Sequence, residues 1–415
     1  MKALLKSSAL RTGAIYGGAG LAFAVSNLLL ARALPVQEYA FFALGVAFLN
    51  LAIPVAPLGL DGMVNRHRVA AGPWLMRRAA GTAALTALFA AAMAAGPYDL
   101  PLSFVLLIGL AVFFGGPNYV AAAHLQSRQR FLHSLALVQG ANVVMLGAAV
   151  GALLLNAERA IGPFGVLCGY YLVAALTGWK VIFDRDAERL APPFRWSESV
   201  SYFGVSAVVI VLGQLERLVI PRVLDMEALA TFAVLAATVG SVFRILLLGV
   251  GYSLLPALRA APDVPTRRRL VAREARATLA LMLVASPAIW WGSIWLVDHL
   301  LTGRYVLTPG LVLAAMVTGY IRVGGAFART IVSALGTARQ LAGLNLFGWI
   351  AVAAAVAAAA VGARWGLRGV IYGVGVGWLV QASTAAYFAI PLLRGGRAEP
   401  VGTPPSTDLA TAKPL

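Results

Sequence analysis

Apolar residues run along this chain in blocks of about 20, the length of a membrane-crossing helix, without the period of two that marks a half-buried strand. The blocks fall near 10–31, 39–60, 79–96, 101–123, 134–155 and 162–183, then near 200–221, 228–255, 277–301, 305–334, 340–362 and 368–391. Short clusters of charge, Pro and Gly separate them. This pattern predicts an all-α integral membrane protein of about twelve transmembrane helices. The most charged interior stretch, Asp184-Arg185-Asp186-Ala187-Glu188-Arg189 followed by Pro192-Pro193, divides the blocks into two sets of six. We therefore expect an N-terminal lobe over 1–183, a cytoplasmic linker over 184–199, a C-terminal lobe over 200–391 and a cytoplasmic tail over 392–415.

The two sets repeat each other. Leu28 to Ala47 aligned on Leu218 to Ala237, a shift of 190, gives seven identities in 20 positions, among them Arg32 with Arg222, Leu34 with Leu224 and Phe42 with Phe232. A weaker echo pairs the turn around Leu125 and Gln129 with that around Leu335 and Arg339. Six spans separate the copies, so the halves share one orientation and form a pseudo-symmetric parallel repeat about an axis along the membrane normal. Secondary transporters with internal repeats bind substrate between the repeats near mid-membrane.

Composition agrees with this reading. Hydrophobic residues make up 60% of the 415 positions and charged residues 12%, whereas soluble domains are near half apolar and a quarter charged. The formal charge of +17 would suit a nucleic-acid partner only on a basic face of a soluble domain, and here the basic residues lie in loops. With the N-terminus inside, most of the 33 Lys and Arg fall on the cytoplasmic side, including Arg66, Arg68, Arg77 and Arg78 after the second span and Arg267, Arg268, Arg269, Arg273 and Arg276 after the eighth. Cytoplasmic loops carry that excess, so we expect a multi-pass protein of a bacterial inner membrane with both termini cytoplasmic and no nucleic-acid partner. Lys2, Lys6 and Arg11 before the first apolar run imitate a signal peptide. That run is longer than a signal core and recurs later as an interior helix, so it is expected to remain as the first span.

Enzyme signatures are absent: there is no Gly-rich loop ending in Gly-Lys-Ser/Thr, no His-Glu-x-x-His and no Gly-x-Ser-x-Gly. His67, His124, His133 and His299 lack metal-ligand spacing, and Cys168 is the only cysteine. Gly373, Gly375 and Gly377 imitate a nucleotide loop but lie inside the last span, where small residues permit close helix packing. The expectation is a protein that is not an enzyme and has no cofactor and no metal.

The informative chemistry is charge inside the membrane. An Arg at mid-helix costs about 2.5–3.5 kcal/mol on insertion scales, so one kept there faces a cavity or a partner by default. Glu216 and Arg217 in span seven, Arg244 in span eight, and Arg322 and Arg329 in span ten qualify. Arg322 and Arg329 are seven residues apart, two helical turns, and share a face about 10 Å apart along the axis, an arrangement suited to a polyanion in a lumen. For Arg329 the alternative is snorkelling to the interface; for Arg244 it is a buried pair with Glu216. Adjacent helix residues do not face each other, so Glu216 must find its partner elsewhere or titrate, and a buried carboxylate can carry a proton; it is the ion-coupling candidate. Arg32 and Arg222 sit at outer helix ends and read as anchors. Arg66 and Arg68 could draw an anionic headgroup to the cytoplasmic entrance, although loop bias alone explains them.

Several segments carry a family resemblance: Gly17 through Leu28-Leu29-Leu30-Ala31-Arg32-Ala33-Leu34-Pro35 to Glu38-Tyr39-Ala40-Phe41-Phe42, Leu58-Gly59-Leu60-Asp61, Gln126 to Phe131, Gln214-Leu215-Glu216-Arg217-Leu218, and Ala334 to Arg339. In their order the chain resembles the polysaccharide or O-antigen (Wzx-like) flippases of the multidrug/oligosaccharidyl-lipid/polysaccharide (MOP) superfamily. The resemblance implies two six-helix lobes around a cation-lined cavity that alternates between two sides of the membrane. It implies an undecaprenyl-diphosphate-linked glycan as cargo, moved between leaflets for lipopolysaccharide or other surface polysaccharide, with membrane lipids, a glycan polymerase and other export proteins as partners. Two departures stand out: the span-seven acid is Glu216 rather than Asp, and the N-terminal half has no intramembrane Arg. A MATE-like exporter of small molecules would share the fold but calls for acidic residues in the N-terminal lobe. A membrane glycan polymerase or ligase would need a large periplasmic loop.

Overall fold

The computed structural model describes residues 8–184 and 196–395, and every regular element among them is helical. The first lobe holds α1 (Ser8–Ala33), α2 (Val36–Val55), the short α3 (Leu60–His67), α4 (Pro73–Ala95), α5 (Leu102–Ser127), α6 (Phe131–Leu154) and α7 (Ile161–Ile182). The second begins with α8 (Trp196–Val223) and α9 (Met226–Leu235), which passes through a π turn at Ala236–Gly240 into α10 (Ser241–Ala260). It continues with α11 (Val264–Leu300), α12 (Pro309–Leu335), α13 (Ala338–Gly362) and α14 (Gly366–Leu393). Taking α9 and α10 as one rod and setting α3 aside, the described residues give twelve long rods, six in each lobe. Nine stretches are long and apolar enough to cross a membrane by length and composition, α13 and α14 being taken together as one, and α1 adds the shorter apolar run Gly17–Ala33. Outward faces carry large apolar side chains such as Leu85, Leu88 and Phe89 of α4 and Val284, Trp291 and Trp295 of α11, all more than half exposed, as expected of a surface solvated by lipid rather than water.

The repeat found in the sequence governs helix boundaries. α1 ends at Ala33 and α8 at Val223, α2 starts at Val36 and α9 at Met226, each pair separated by the same shift of 190. Both turns close with equivalent backbone bonds, Leu34 N–H to Leu30 O at 2.9 Å and Leu224 N–H to Ile220 O at 2.8 Å.

Some boundaries differ from the hydropathy reading. The basic stretch from Arg267 to Arg276, expected as a loop, forms the first turns of the 37-residue α11, which at 1.5 Å per residue is about 55 Å long and exceeds the roughly 30 Å hydrocarbon layer. Asp263 starts it, its carboxylate accepting the Thr266 N–H at 2.7 Å. Polar composition hides this portion from a hydropathy window while leaving helix propensity high. The second span stops at Val55, and Gly59 (φ 83°) turns the chain into α3. A side chain there would collide with the carbonyl oxygen of Ser199, so the start of α8 is seated directly against the first lobe, and Ser199 Oγ donates to Leu58 O at 2.8 Å. Helix α8 begins at Trp196 rather than 200, and α14 ends at Leu393 rather than 391. The remainder of the expected linker, 185–195, and of the tail, 396–415, lies outside the described residues.

At the opposite end the lobes are joined by two related latches. In the α4–α5 turn Tyr98 donates its hydroxyl to Leu218 O of α8 at 2.8 Å, and Arg222 donates back to Pro97 O. In the α11–α12 turn Tyr305 donates to Ala31 O of α1 at 3.5 Å, and Arg304 donates to Arg32 O at 3.1 Å. Gly96-Pro97-Tyr98-Asp99-Leu100 and Gly303-Arg304-Tyr305-Val306-Leu307 share Gly, Tyr and Leu at a shift of 207, although the left-handed residue is Asp99 in the first and Thr302 and Gly303 in the second. Each lobe thus reaches with one tyrosine turn onto the first helix of the other. Arg222, expected as an interfacial anchor, takes part in a latch, because its helix end lies against the α4–α5 turn of the other lobe.

Each tyrosine bond should be worth about 1 kcal/mol. Gly213 lines the interior, with room for a Cβ. In a Cys168→Ser, Gly213→Cys background, a bulky thiol reagent added from the latched side should label several-fold faster when Tyr98→Phe and Tyr305→Phe are combined. An unchanged rate would mean that the latches do not hold this end shut.

Candidate functional site

Helices α8, α10, α12 and α14 wall a cavity of about 580 Å³, to which the first lobe contributes Gly20 and Phe23 of α1. Its lining runs from Glu216 and Phe232, about two turns from the latched end, to Leu255, Ser333 and Leu344 near the end that carries the basic loops. Glu216, Arg217, Arg244, Arg322 and Arg329 all line it. The sequence led us to expect a site between the two halves; the charged cavity instead belongs almost wholly to the second, because the intramembrane ions do.

Glu216 finds its partner on another helix. Its side chain is 3% exposed and accepts from Nη2 of Arg322 on α12. The expected alternative, a pair with Arg244, does not form. The Arg322 guanidinium lies 4.8 Å from the ring centroid of Trp378 on α14, and Arg329 lies 5.6 Å from the same ring. Arg329 does not snorkel: its Nη1 donates to Oε1 of the buried Gln381 at 2.7 Å. Its seven-residue offset from Arg322 turns both guanidiniums onto one indole, and cation–π attraction strengthens where water is excluded.

Arg244 is exposed to the cavity, 5.0 Å over the ring of Phe23, and has no ion pair among the described residues. It follows the π turn at Ala236–Gly240, where Thr238 Oγ1 donates to Val234 O at 3.1 Å. A π turn inserts one residue into the helical register, so the side chains beyond it are rotated relative to the repeat-equivalent α2. Arg217 donates to Gln214 Oε1 at 3.1 Å within α8. Arg66 and Arg68 are exposed on α3 and its C-cap, outside the cavity lining.

Sequence reasoning missed the uncharged half of the site. Trp378 and Gln381 stand three residues apart on α14, one helix face, and that polar-aromatic pair within an apolar span was the available signal. Thr318 Oγ1, Arg322 Nε and Trp378 Nε1 are buried on this wall with no hydrogen-bond partner, each a group that could serve an acceptor oxygen. Gly373 and Gly377 have the packing role expected of them, since side chains there would overlap α13 at Ala358 and Ala355. No group of three or more His, Cys, Asp or Glu able to hold a metal occurs among the described residues. Four guanidiniums against one carboxylate make the cavity strongly cationic, and guanidinium forks suit phosphate oxygens.

No protein-family model and no curated protein matches the sequence. Solved structures do. The chain is similar to the lipid II flippase MurJ in an inward closed conformation, at 11% identity over 92% of this chain and 88% of that one, with a TM-score of 0.63. It is similar to an inward-facing multidrug resistance MATE family transporter of the MOP superfamily, at 14% identity over 91% and 94%, TM-score 0.58. A eukaryotic MATE transporter aligns at 12% identity over 94% and 98%, TM-score 0.52. The chain has the MATE-like fold. Within that fold, the charged cavity and its aromatic wall lie on the second lobe.

Removing one member of a buried ion pair costs about 3 kcal/mol or more. Arg322→Ala should therefore lower the thermal midpoint of the purified protein, and adding Glu216→Gln should recover most of the loss. A double variant as unstable as the single one would show that the pair does not tie α8 to α12.

Proposed function

We propose that this chain is a flippase that moves an undecaprenyl-diphosphate-linked oligosaccharide from the cytoplasmic to the periplasmic leaflet of a bacterial inner membrane, for surface polysaccharide biosynthesis. The observation that carries this reading is the convergence of Arg217, Arg244, Arg322 and Arg329 on one cavity at membrane depth. Four cations against one carboxylate leave the cavity with an excess of positive charge that a polyanionic occupant would balance, and a diphosphate on a lipid is one that must cross the hydrocarbon layer. The similarity to MurJ and to MATE family transporters supports alternating access as the means. On the orientation read from loop charge, the latched end faces the periplasm and the cavity reaches toward the cytoplasm, where the lipid-linked precursor would enter.

A small-molecule exporter built to take cations fits less well. Among the described residues that line the cavity, Glu216 is the only carboxylate, and it is engaged by Arg322.

Depletion of the protein in its host should leave the lipid-linked glycan on the cytoplasmic leaflet; accumulation on the periplasmic side would overturn the flippase reading. Arg244, exposed to the cavity and without an ion pair, can be removed without stranding a buried carboxylate. Arg244→Ala should reduce glycan export by about tenfold or more, the worth of a charge-assisted hydrogen bond, at unchanged protein abundance. Normal export in this variant would remove Arg244 from the binding site.

A further inference from the structure

We propose that Glu216 is a built-in counter-anion: it occupies Arg322 while the cavity is empty, is displaced by the phosphate oxygens of a polyanionic cargo, and helps to expel that cargo when it returns. This rests on the reading of the cavity as an anion site.

Three observations meet here. First, the pair is made at a single point, Nη2 of Arg322 to Oε1 of Glu216, and leaves Arg322 Nε buried without a partner. A carboxylate that served only to hold the helices together would be expected to use the guanidinium fork, which offers two parallel bonds. Second, Arg322 has another station already in place. Its guanidinium lies over Trp378 beside that of Arg329, so once released it can present a paired cationic surface without leaving its helix. Third, Glu216 is the only acidic residue among the described residues that line the cavity, where it stands amid Arg217 of its own helix, Arg244 of α10, and Arg322 and Arg329 of α12. A permanent buried ion pair is a poor stabiliser compared with an apolar contact of the same shape, which makes an exchange role the more economical account of its presence.

The consequence is selectivity by charge number. An internal ligand lowers apparent affinity by the fraction of time the site is free. A diphosphate that engages Arg322 and Arg329 together gains enough to displace Glu216. An anion of single charge gains one such contact and does not.

The test is equilibrium binding to the purified full-length protein with two probes, inorganic pyrophosphate and the monoanion dimethyl phosphate. Wild type should bind pyrophosphate and discriminate strongly against dimethyl phosphate. Glu216→Gln keeps the size and the acceptor oxygen but not the charge. It should bind pyrophosphate about tenfold more tightly, as expected if the site is free about a tenth of the time, and should lose much of its discrimination. Pyrophosphate binding that is unchanged or weaker in Glu216→Gln overturns the counter-anion role and leaves the anion site standing. Failure of both proteins to bind either probe overturns the anion-site reading itself. Glu216→Asp, whose shorter side chain keeps the charge but reaches Arg322 poorly, should fall between the two. It supplies the same comparison if the Gln variant proves unstable, and wild-type affinity in Asp would count against the proposal.

Discussion

A guanidinium held in hydrocarbon without a partner costs at least about 2.5 kcal/mol on insertion scales, and four of them line one wall of this protein. Each is met by something. Arg322 has a carboxylate and an indole, Arg329 an amide and the same indole, Arg217 an amide and Arg244 a phenyl face. Those partners sit on α8, α14 and α1, so satisfying the charges fixes where these helices stand relative to α12 and α10. Close approach is made possible by small residues. Gly325 faces Ala382 and Gly375 faces Thr318 so tightly that a side chain at either would crowd its neighbour, which brings α14 near enough for Trp378 to lie under two arginines.

What could be read from the chain alone follows from where the information resides. The number of rods was legible because a membrane span is a local property of about 20 consecutive residues. The match of Arg32 with Arg222 and of Leu34 with Leu224 was legible too, since a repeat imposes the same turn at the same register, and α1, α2, α8 and α9 obey it. The polar first turns of α11 were not, because their helix is made by capping and propensity rather than by apolar content. The tyrosine turns were harder to see because the lobes differ in length between helices: the shift is 190 near Arg32 and 207 near Tyr98, and the two turns share only Gly, Tyr and Leu. Nothing along the chain could pair Glu216 with Arg322. That choice depends on which helix face α12 turns toward α8.

The latches and the cavity divide the molecule in different ways. At the latched end the two lobes are treated alike, each giving a tyrosine turn and receiving one on its first helix. Around the cavity they are not alike, for among the described residues its charged side chains and the π turn that precedes Arg244 belong to the second half of the chain. Symmetry has been kept where the lobes meet, and lost where charge is buried.

Among the described residues that line the cavity, the first lobe contributes Gly20 and Phe23, a bare backbone and an apolar ring. In a rocking cycle, bound charge would therefore travel chiefly in the frame of the second lobe, while the first, which meets Arg244 with the ring of Phe23, sweeps past it as a shutter. Recognition and covering then fall on separate stretches of the gene. The shutter's inner face could then be resized for a bulkier or slimmer cargo without touching the Glu216–Arg322 pair, which lies wholly in the second lobe.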